Sequence, residues 1–372
     1  MEQLNDYYHL DDIDATGCNY RIILSERGNG KTYAVKEKAI NEFGRTGKQF
    51  FYLRRYVEEI RPSKMNQLFA DMSAPLNELR AAKYPEFDLL YVQAKSGEFK
   101  LVGENTETGD KKVVGILGHY GALRQEQYIK SVSYPDVNML CFDEVLTKSN
   151  TKSGELMDFL NIISTVRRRR TDFTIYLLGN TINRHSRLLE EMGVKITDVE
   201  PGRIDCWQYF GPNGEVNTLA YERCRHYEQP TESAAYSIFG DHKTSMMINN
   251  GEWQINDYPL FSDEEFASAK LRYGVVLEHK KLRLFCYITS DGDIMVTDKR
   301  QRKAIDFVTI TDKPTYFNRK QFCFRGHTLA SDSVLRYIFL RYCNQHVRFR
   351  SNICGDDFDE ILVRFGLMDG KA

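Results

Sequence analysis

The sequence has 372 residues and a formal net charge of −1, and 42% of the residues are hydrophobic while 28% are charged. This length exceeds what one hydrophobic core usually supports, so we expect two domains. No apolar run approaches the roughly 20 residues that a membrane-spanning helix needs, which argues against an integral membrane protein.

The amino-terminal residues and the cysteines suggest a cellular compartment. The sequence begins with neither a basic leader nor an apolar segment followed by small residues, so no secretory signal is expected. The eight cysteines are scattered singly, without a CxxC pair or zinc-ligand spacing, which favours reduced, structural thiols. We therefore expect a cytoplasmic protein.

The first predicted elements are a strand at 20–24, a glycine-containing loop and a helix-like segment at 34–43. The loop fits the phosphate-loop (P-loop) pattern, except that a serine replaces its leading glycine. Its residues are Ser25, Glu26, Arg27, Gly28, Asn29, Gly30, Lys31 and Thr32. Glycines let backbone N–H groups turn toward phosphate oxygens, and the helix presents its positive amino end to them. We therefore predict that this loop binds ATP.

Two side chains of the loop have specific predicted roles. Lys31 would bridge the β- and γ-phosphates, and Thr32 would supply a hydroxyl ligand to Mg²⁺, which prefers oxygen ligands. A chance glycine-rich turn is the alternative, but the flanking strand and helix argue against it.

A second strand is predicted at 49–56, and the alternation of strands and helices indicates a parallel α/β sheet. Pro62 would stop any helix begun after this strand. Residues 57–112 have a mixed pattern, with a polar, glycine-containing hairpin turn at 106–110. We predict a β insertion beside the sheet in this region.

A buried-type strand at 137–144 ends in two carboxylates, Asp143 and Glu144. P-loop enzymes place one carboxylate at such a strand end to hold magnesium, and we predict this role for Asp143. Glu144 is suited to accept a proton from the attacking water. An inert pair of carboxylates is the alternative, which the P-loop about 110 residues upstream makes less favoured.

The next helix-like segment, 156–170, ends in four arginines, and a core strand at 172–180 follows. Arg167 to Arg170 could form a solvated or nucleic-acid-facing surface, or supply an arginine finger to the active site of a neighbouring subunit. Asn180, at the end of the strand, could contact the γ-phosphate or its water, or simply be a turn asparagine. The pattern does not decide either question.

Residues 201–244 are polar and marked by glycines, and we predict an inter-domain linker there between domains at 1–200 and 245–372. Strand-like segments and one helix-like segment at 331–346 predict a small α+β domain. Residues 271–350 contain 16 Lys and Arg against 7 Asp and Glu, which predicts a basic surface.

Four aspartates of this second domain, Asp291, Asp293, Asp298 and Asp306, could be imagined as a two-metal nuclease centre. Turns with solvated aspartates are favoured instead, because Lys and Arg outnumber the acids. The segment 290–293 is the clearest hairpin turn of the domain.

The sequence resembles the compact DNA-packaging ATPases of phi29-like tailed phages. The resemblance rests on SERGNGKTYAVK, QFFYLRRY, KSVSYPDVNMLCFDE, TVRRRR and LLGN in that family's order, and it covers 20–180 well and the C-terminal part loosely. It implies an ASCE-type P-loop ATPase domain, related to FtsK and HerA, followed by an RNase H-like domain. The second domain would be a vestigial nuclease that lacks its metal-binding acids and binds nucleic acid.

The resemblance also implies residue roles and partners. Arg27, Lys130 and Arg168 match the family's basic nucleotide-contacting residues, the last two acting in trans. Such motors form a homopentameric ring on the portal, or connector, of an empty capsid, often through a packaging RNA, and pump double-stranded DNA inward. The chain would then work in the host cytoplasm, transiently at the portal vertex of the procapsid.

These patterns together predict an ATP-driven translocase that packages double-stranded viral DNA. One alternative is a large terminase with a working nuclease, which would need converging carboxylates in the second domain. Another is an ATP-binding switch or assembly protein that moves nothing, which DNA-stimulated hydrolysis would distinguish from a motor.

Overall fold

The computed structural model describes residues 7–25, 28–146, 154–180, 186–194, 200–210, 216–225, 258–301, 305–311, 321–323 and 333–368. The chain divides into two compact units, with the main boundary after Trp253. Among the described residues, none of the helices combines the length and apolar character that crossing a bilayer requires.

The first unit is built from a nine-stranded sheet with helices on both faces. Its strands are β1 (Tyr20–Ser25), β2 (Gln49–Arg54), β3 (Leu89–Lys95), β4 (Glu98–Glu104), β5 (Lys111–Ala122), β6 (Val137–Phe142), β7 (Thr174–Asn180), β8 (Arg203–Phe210) and β9 (Val216–Arg223). Its helices are α1 (Asp11–Ala15), α2 (Lys31–Thr46), α3 (Pro62–Gln67), α4 (Ser73–Lys83), α5 (Glu126–Lys130), α6 (Glu155–Arg167) and α7 (Arg187–Glu191). Short 3-10 helices cover Val57–Ile60 and Leu123–Gln125.

The strand order is β3-β4-β5-β2-β6-β7-β1-β9-β8. In this order, the six neighbouring strands β5, β2, β6, β7, β1 and β9 pair in parallel, whereas β3, β4 and β8 pair antiparallel at the two edges. One apolar core packs under α1 to α4 and a second under α5 to α7. The predicted parallel α/β sheet is therefore confirmed, and its central strands are continuously apolar because both faces are covered.

The region 57–112 differs from its prediction. Helices α3 and α4 fill its first part, and β3 and β4 extend the main sheet instead of forming a separate insertion. Pro62 begins α3, where its missing N–H would have had no helical partner. The predicted hairpin turn at 106–110 does connect β4 to β5.

The predicted linker at 201–244 is wrong for its first part, because β8 and β9 lie there. β9 pairs in parallel with β1, and its Tyr221 is fully buried. β8 is an edge strand with mostly exposed or half-buried side chains, so it lacks the apolar run that would have revealed it. Residues 226–257 lie outside the described residues.

The second unit is a six-stranded mixed sheet with helices. Its elements are α8 (Asp263–Ser268), β10 (Leu271–His279), β11 (Leu282–Thr289), β12 (Ile294–Thr297), β13 (Phe307–Thr311), β14 (Gln321–Cys323), α9 (Ser333–Cys343), β15 (Val347–Phe349) and α10 (Asn352–Arg364). The strand order is β14-β13-β10-β11-β12-β15. The strands β10 to β12 are antiparallel, and β13, β14 and β15 pair in parallel with their neighbours.

The α+β character of the second unit agrees with the sequence, as do α9 and the hairpin turn at 290–293. Helices α8 and α10 were not predicted. α8 has a sequence cue, because Ser262 and Glu265 form a capping box at its start. The RNase H-like relationship of this unit stays a prediction.

Candidate active site

The phosphate loop connects β1 to α2 at the carboxyl edge of the sheet. Gly28 and Gly30 have positive φ angles of 79° and 95°, which side chains other than glycine rarely adopt. Gly30 is the N-cap of α2, and a Cβ atom there would lie 3.2 Å from the Tyr7 ring. Glu26 and Arg27, which belong to the predicted loop, lie outside the described residues. The backbone is therefore shaped as a glycine-dependent cradle at a helix amino end.

Lys31 folds back over this loop. Its Nζ donates to Ser25 Oγ at 3.0 Å and to Asn180 Oδ1 at 2.6 Å, and the residue is 6% exposed. Asn180 ends β7, which pairs directly with β1. Three residues that the sequence suggested as ATP contacts thus meet at one point. The oxygens of Ser25 and Asn180 accept hydrogen bonds from the ammonium group of Lys31, as phosphate oxygens could.

Asp143 lies opposite Thr32, directly after β6. Thr32 Oγ1 lies 3.3 Å and 3.4 Å from the two carboxylate oxygens, and Tyr52 donates its hydroxyl to Oδ2 at 2.7 Å. Hydroxyl and carboxylate oxygens are the hard ligands that Mg²⁺ prefers, and two of them leave room for waters and phosphate. In the described part of the chain no group of three His, Cys, Asp or Glu side chains could hold a metal by itself. The donor set therefore fits a magnesium ion that reaches the protein together with a nucleotide.

Tyr52 is held in its neutral form. Burial raises the pKa of its hydroxyl well above the usual value, and the negative charge of Asp143 raises it further. The hydroxyl therefore stays a hydrogen-bond donor and keeps the carboxylate of Asp143 oriented.

Glu144 adopts a strained turn at the end of β6. Its φ is 58°, and its N–H donates to Asp143 Oδ1 at 3.0 Å. Its carboxylate, which is 46% exposed, lies 2.7 Å from Nη2 of Arg54. Arg54 also pairs with Glu59 at 3.0 Å. The candidate base is thus present at the site, but a neighbouring arginine holds it.

Arg54 lies among several acidic groups. Burial disfavours its charge, but the carboxylates of Glu59, Asp143 and Glu144 outweigh this effect and raise its pKa. The guanidinium is a permanent cation at the end of β2, within 3.6 Å of Asp143 as well as in contact with Glu144.

A cavity of about 1020 Å³ opens beside these groups. Its size is at the upper end of ordinary small-molecule sites, so a nucleotide fits within it. The predicted site residues that line it are Gly28, Asn29, Gly30, Lys31, Thr32, Asp143, Glu144 and Asn180. The remaining wall includes Tyr7, Tyr8 and His9 before α1 and several residues of α2 and of the segment after α3.

Lys36 is a cavity residue that the sequence did not single out. It is 5% exposed, and its Nζ donates to Leu68 O at 2.6 Å and to Asp71 Oδ1 at 2.5 Å. Burial lowers the pKa of this ammonium group, although Asp71 opposes the effect. Its position four residues after Thr32 was the available sequence cue, because such residues share one helix face.

The two residues with predicted trans roles do not line the cavity of their own chain. Lys130 ends α5 and pairs with Glu126. Arg168 follows α6, is exposed and has a positive φ of 50°.

The four arginines after α6 fall into two pairs. Arg170 donates to Tyr134 O at 2.9 Å, to Pro135 O at 2.6 Å and to Val166 O, and Arg167 donates to Arg170 O at 2.8 Å. Arg168 and Arg169 are exposed. Arg167 and Arg170 fix the local backbone, so Arg168 and Arg169 are the better candidates for reaching a neighbouring molecule.

The four aspartates considered for a nuclease are not gathered in the described part of the second unit, where no metal-binding group of three acids or histidines occurs. Asp293 instead lies 2.9 Å from Nδ1 of His346, and Asp291 accepts from Ser290 at 3.3 Å. These contacts belong to the turn between β11 and β12.

Comparisons with known proteins relate this chain to phage DNA packaging proteins. Residues 4–186 match the family model of the Podovirus DNA encapsidation protein (Gp16). The DNA packaging proteins of Bacillus phages phi29 and PZA are each 30% identical over 164 residues, which is 43% of this chain and 42% of theirs. The DNA packaging protein of Bacillus phage B103 is 29% identical over 281 residues, or 73% of this chain and 77% of that protein. This chain thus matches less than half the length of the first two relatives.

Two solved structures share the fold. A chain of the bacteriophage Phi-29 viral genome packaging motor assembly aligns with a TM-score of 0.53 at 18% identity, covering 96% of this chain and 99% of that one. A chain of the Phi-28 gp11 DNA packaging motor aligns with a TM-score of 0.52 at 16% identity, covering 99% and 100%.

Proposed function

We propose that this chain, whose residues 4–186 match the family model of the Podovirus DNA encapsidation protein (Gp16), is an ATP-driven translocase that packages double-stranded viral DNA into a preformed capsid. One observation carries the proposal. The glycine cradle, Lys31, Thr32, Asp143 and Glu144 surround one cavity at the carboxyl edge of a parallel sheet. This is where open α/β sheets bind their ligands.

ATP binding would replace the internal contacts of Lys31. Its Nζ would leave Ser25 and Asn180 for the phosphate oxygens, which gain a charge-assisted hydrogen bond. Thr32 and Asp143 would hold Mg²⁺, which neutralises charge on the phosphates when bound. Asn180, released from Lys31, could then hydrogen-bond the γ-phosphate or the attacking water.

Hydrolysis would depend on Glu144. Its carboxylate accepts a proton from the attacking water, for which it must leave its ion pair with Arg54. Arg54 retains Glu59 as a partner, so releasing Glu144 does not leave its charge unpaired. The ground-state position of Glu144 thus limits hydrolysis until the site rearranges.

Lys130 and Arg168 are proposed to act on the nucleotide of a neighbouring subunit. Both lie outside their own cavity, and an arginine supplied in trans stabilises charge that develops in phosphoryl transfer. This arrangement requires a homo-oligomeric ring, for which the family resemblance suggests a pentamer. The ring would sit on the procapsid portal in the host cytoplasm, with a packaging RNA as a further partner.

The DNA would be bound through its phosphates. The exposed cations among the described residues of the second unit are Lys270, Arg272, Lys280, Lys281, Arg283, Lys299, Arg300, Arg336 and Arg350. Such a surface grips the phosphate backbone without recognising base sequence, as a motor that moves a whole genome needs.

The test is ATP hydrolysis by the full chain with and without double-stranded DNA and empty capsids. We expect DNA to stimulate hydrolysis, and ATP with capsids to protect DNA from added nuclease. ATP binding without DNA-stimulated turnover would support the switch protein instead, and metal-dependent cleavage of plasmid DNA would support the nuclease.

A further inference from the structure

Two consecutive arginines at the end of β2 have different surroundings. Arg54 pairs with Glu144, which lines the cavity, whereas Arg55 is only 2% exposed and has other partners. Nε of Arg55 lies 2.7 Å from Oε1 of Glu155, and its Nη2 lies 3.3 Å from Oε2. Glu155 is 5% exposed and is the first residue of α6. Arg55 therefore connects β2 to the amino end of α6 by a buried ion pair.

Arg55 also holds the backbone of the turn that carries the candidate base. Its Nη1 donates to the carbonyl oxygen of Glu144 at 3.0 Å, and its Nη2 donates to that of Val145 at 3.0 Å. The guanidinium lies 5.5 Å from the centre of the Phe142 ring at the end of β6. A change in the backbone of Glu144 moves a carbonyl that Arg55 contacts. The same guanidinium then transmits this change to Glu155.

Helix α6 is one continuous helix with a single buried face. Phe159, Ile162, Ile163 and Val166 form its buried face, and Phe159 packs on Phe142 with ring centres 5.3 Å apart. Its 13 residues span about 20 Å at 1.5 Å per residue. Arg168 lies at the far end, capped by its N–H bond to Ser164 O at 2.9 Å. A small tilt at Glu155 is therefore passed along the helix to Arg168.

We propose that Arg55 is a positioning residue that ties α6, and with it Arg168, to the conformation of the Glu144 turn. The state of one subunit's pocket then sets the orientation of the arginine which that subunit presents to its neighbour. This inference rests on the proposed trans role of Arg168. The chemistry requires arginine, because only its planar fork of donors can satisfy a carboxylate and two carbonyls at once. Lysine at position 55 would keep the charge but lose part of this set.

The test uses mixed oligomers in which pocket and arginine come from different chains. Finger-donor chains carry Glu144→Gln, which lowers their own hydrolysis by about 100-fold or more, and recipient chains carry Arg168→Ala, so they offer no finger. Nearly all hydrolysis then comes from recipient pockets served by donor arginines. We expect Arg55→Lys in the donor to lower the rate by about 10- to 100-fold, which is the cost of misplacing a catalytic group. Arg55→Lys in the recipient also loosens the Glu144 turn of the hydrolysing pocket and should lower the rate as well, so the loss with the changed donor is the decisive reading.

A structural role confined to the chain's own pocket would lower the rate only when the recipient carries Arg55→Lys, and that result would overturn the proposal. Equal rates with donors that keep Arg55 and donors that carry Arg55→Lys would overturn it as well. No hydrolysis in a mixture of donor and recipient chains that both keep Arg55 would refute the trans role of Arg168 itself. The inference about Arg55 would fall with it. This last outcome is distinguishable, because it appears before Arg55 is changed.

Two controls separate positioning from misfolding. Glu155→Gln keeps the size of the side chain but removes its charge, and in the donor it should give the same loss as Arg55→Lys. Arg21→Lys changes another buried arginine, whose partners Asp14 and Tyr176 lie on α1 and β7. We expect a donor with Arg21→Lys to retain full activity in trans at temperatures where it stays folded.

Discussion

Asp143 and Glu144 are adjacent residues with different surroundings, which suit them to different work. Asp143 is 6% exposed and accepts bonds from Tyr52 and Thr32, so its carboxylate is held in a fixed orientation, as suits a metal ligand. Glu144 is half exposed and held by an ion pair in a backbone conformation that costs about 1–3 kcal/mol for such residues. Strain of this kind persists where it serves a function. It is consistent with a base that changes position.

Substitution of the two central side chains should separate binding from hydrolysis. Glu144→Gln should keep ATP bound but lower turnover by about 100-fold or more, since it loses a general base. Lys31→Ala should lose ATP binding instead, because it removes the cation for the phosphates. Calorimetric titration with ATP and a steady-state hydrolysis assay check both. Normal turnover by Glu144→Gln would show that another group accepts the proton.

Tyr52→Phe should weaken both the fold and the magnesium site. Asp143 would lose a buried donor at 2.7 Å, which costs about 1.5–3 kcal/mol for a bond to a charged group. The magnesium concentration needed for half-maximal hydrolysis should rise, because the carboxylate is less well oriented. Tyr134→Phe is the control, since it removes the hydroxyl of another buried tyrosine of the same unit. Urea unfolding and a magnesium titration of hydrolysis give the two readouts.

Among individual residues, the sequence predicted those site residues that belong to short consecutive motifs. The loop from Ser25 to Thr32 and the carboxylates at 143–144 could be recognised because their function depends on consecutive residues. Tyr52 and Arg54 could not, because their role depends on β2 lying beside β6 in the sheet. Tyr52 and Asp143 are 91 residues apart in sequence.

Among the elements, β8 and β9 show where sequence patterns stop being informative. β9 pairs with β1, the strand that leads into the phosphate loop, and Tyr8 donates to its Glu222 at 2.6 Å. A sheet edge needs no continuous apolar run, so the mixture of charged and apolar residues in β8 hid a strand that completes the sheet. The apolar central strands were predicted correctly because their burial on both faces demands such residues.

If β9 belongs to the core, Tyr221→Ala should be strongly destabilising. Tyr221 is fully buried and stacks with Trp207, and loss of a large core aromatic costs about 3–5 kcal/mol. Phe210→Ala on β8 is the matched control, because that side chain is 75% exposed and should change stability by no more than about 0.5 kcal/mol. Thermal and urea unfolding of the full chain measure both. Equal, small effects would restore the linker interpretation of this segment.

Strand β5 carries a histidine that should give the fold a pH dependence. Burial lowers the pKa of His119, although Glu98 and Asp136 oppose this, and its Nε2 lies 3.0 Å from Gln49 Oε1. As the pH falls below about 6.5, the unfolded chain binds a proton that the folded chain does not, so stability declines by at most about 1.4 kcal/mol per pH unit. His119→Gln should remove this part of the decline. Unfolding midpoints of both proteins between neutral pH and the mildly acidic range provide the check.

For the whole molecule, the net charge of −1 conceals an uneven distribution. Of the Lys and Arg residues of 271–350 that the structure describes, most are exposed, and Lys280 and Lys281 form the turn between β10 and β11. Phosphate binding by such a surface releases counterions, so it weakens as salt increases. The proposed motor would keep its nucleotide chemistry and its DNA-binding surface on separate units, so that each could be perturbed alone.

Reversing the charge of that turn should uncouple DNA from hydrolysis. Lys280→Glu with Lys281→Glu should leave hydrolysis without DNA unchanged, because both residues lie outside the first unit. Stimulation by DNA should fall, and the dependence of log affinity on log salt should become shallower by about 1 for each DNA phosphate that the protein no longer neutralises. Lys83→Glu with Lys95→Glu makes the same change in charge at exposed positions of the first unit. If both double variants weaken DNA binding equally, only the total charge of the chain matters, and the second unit is not the DNA-binding element.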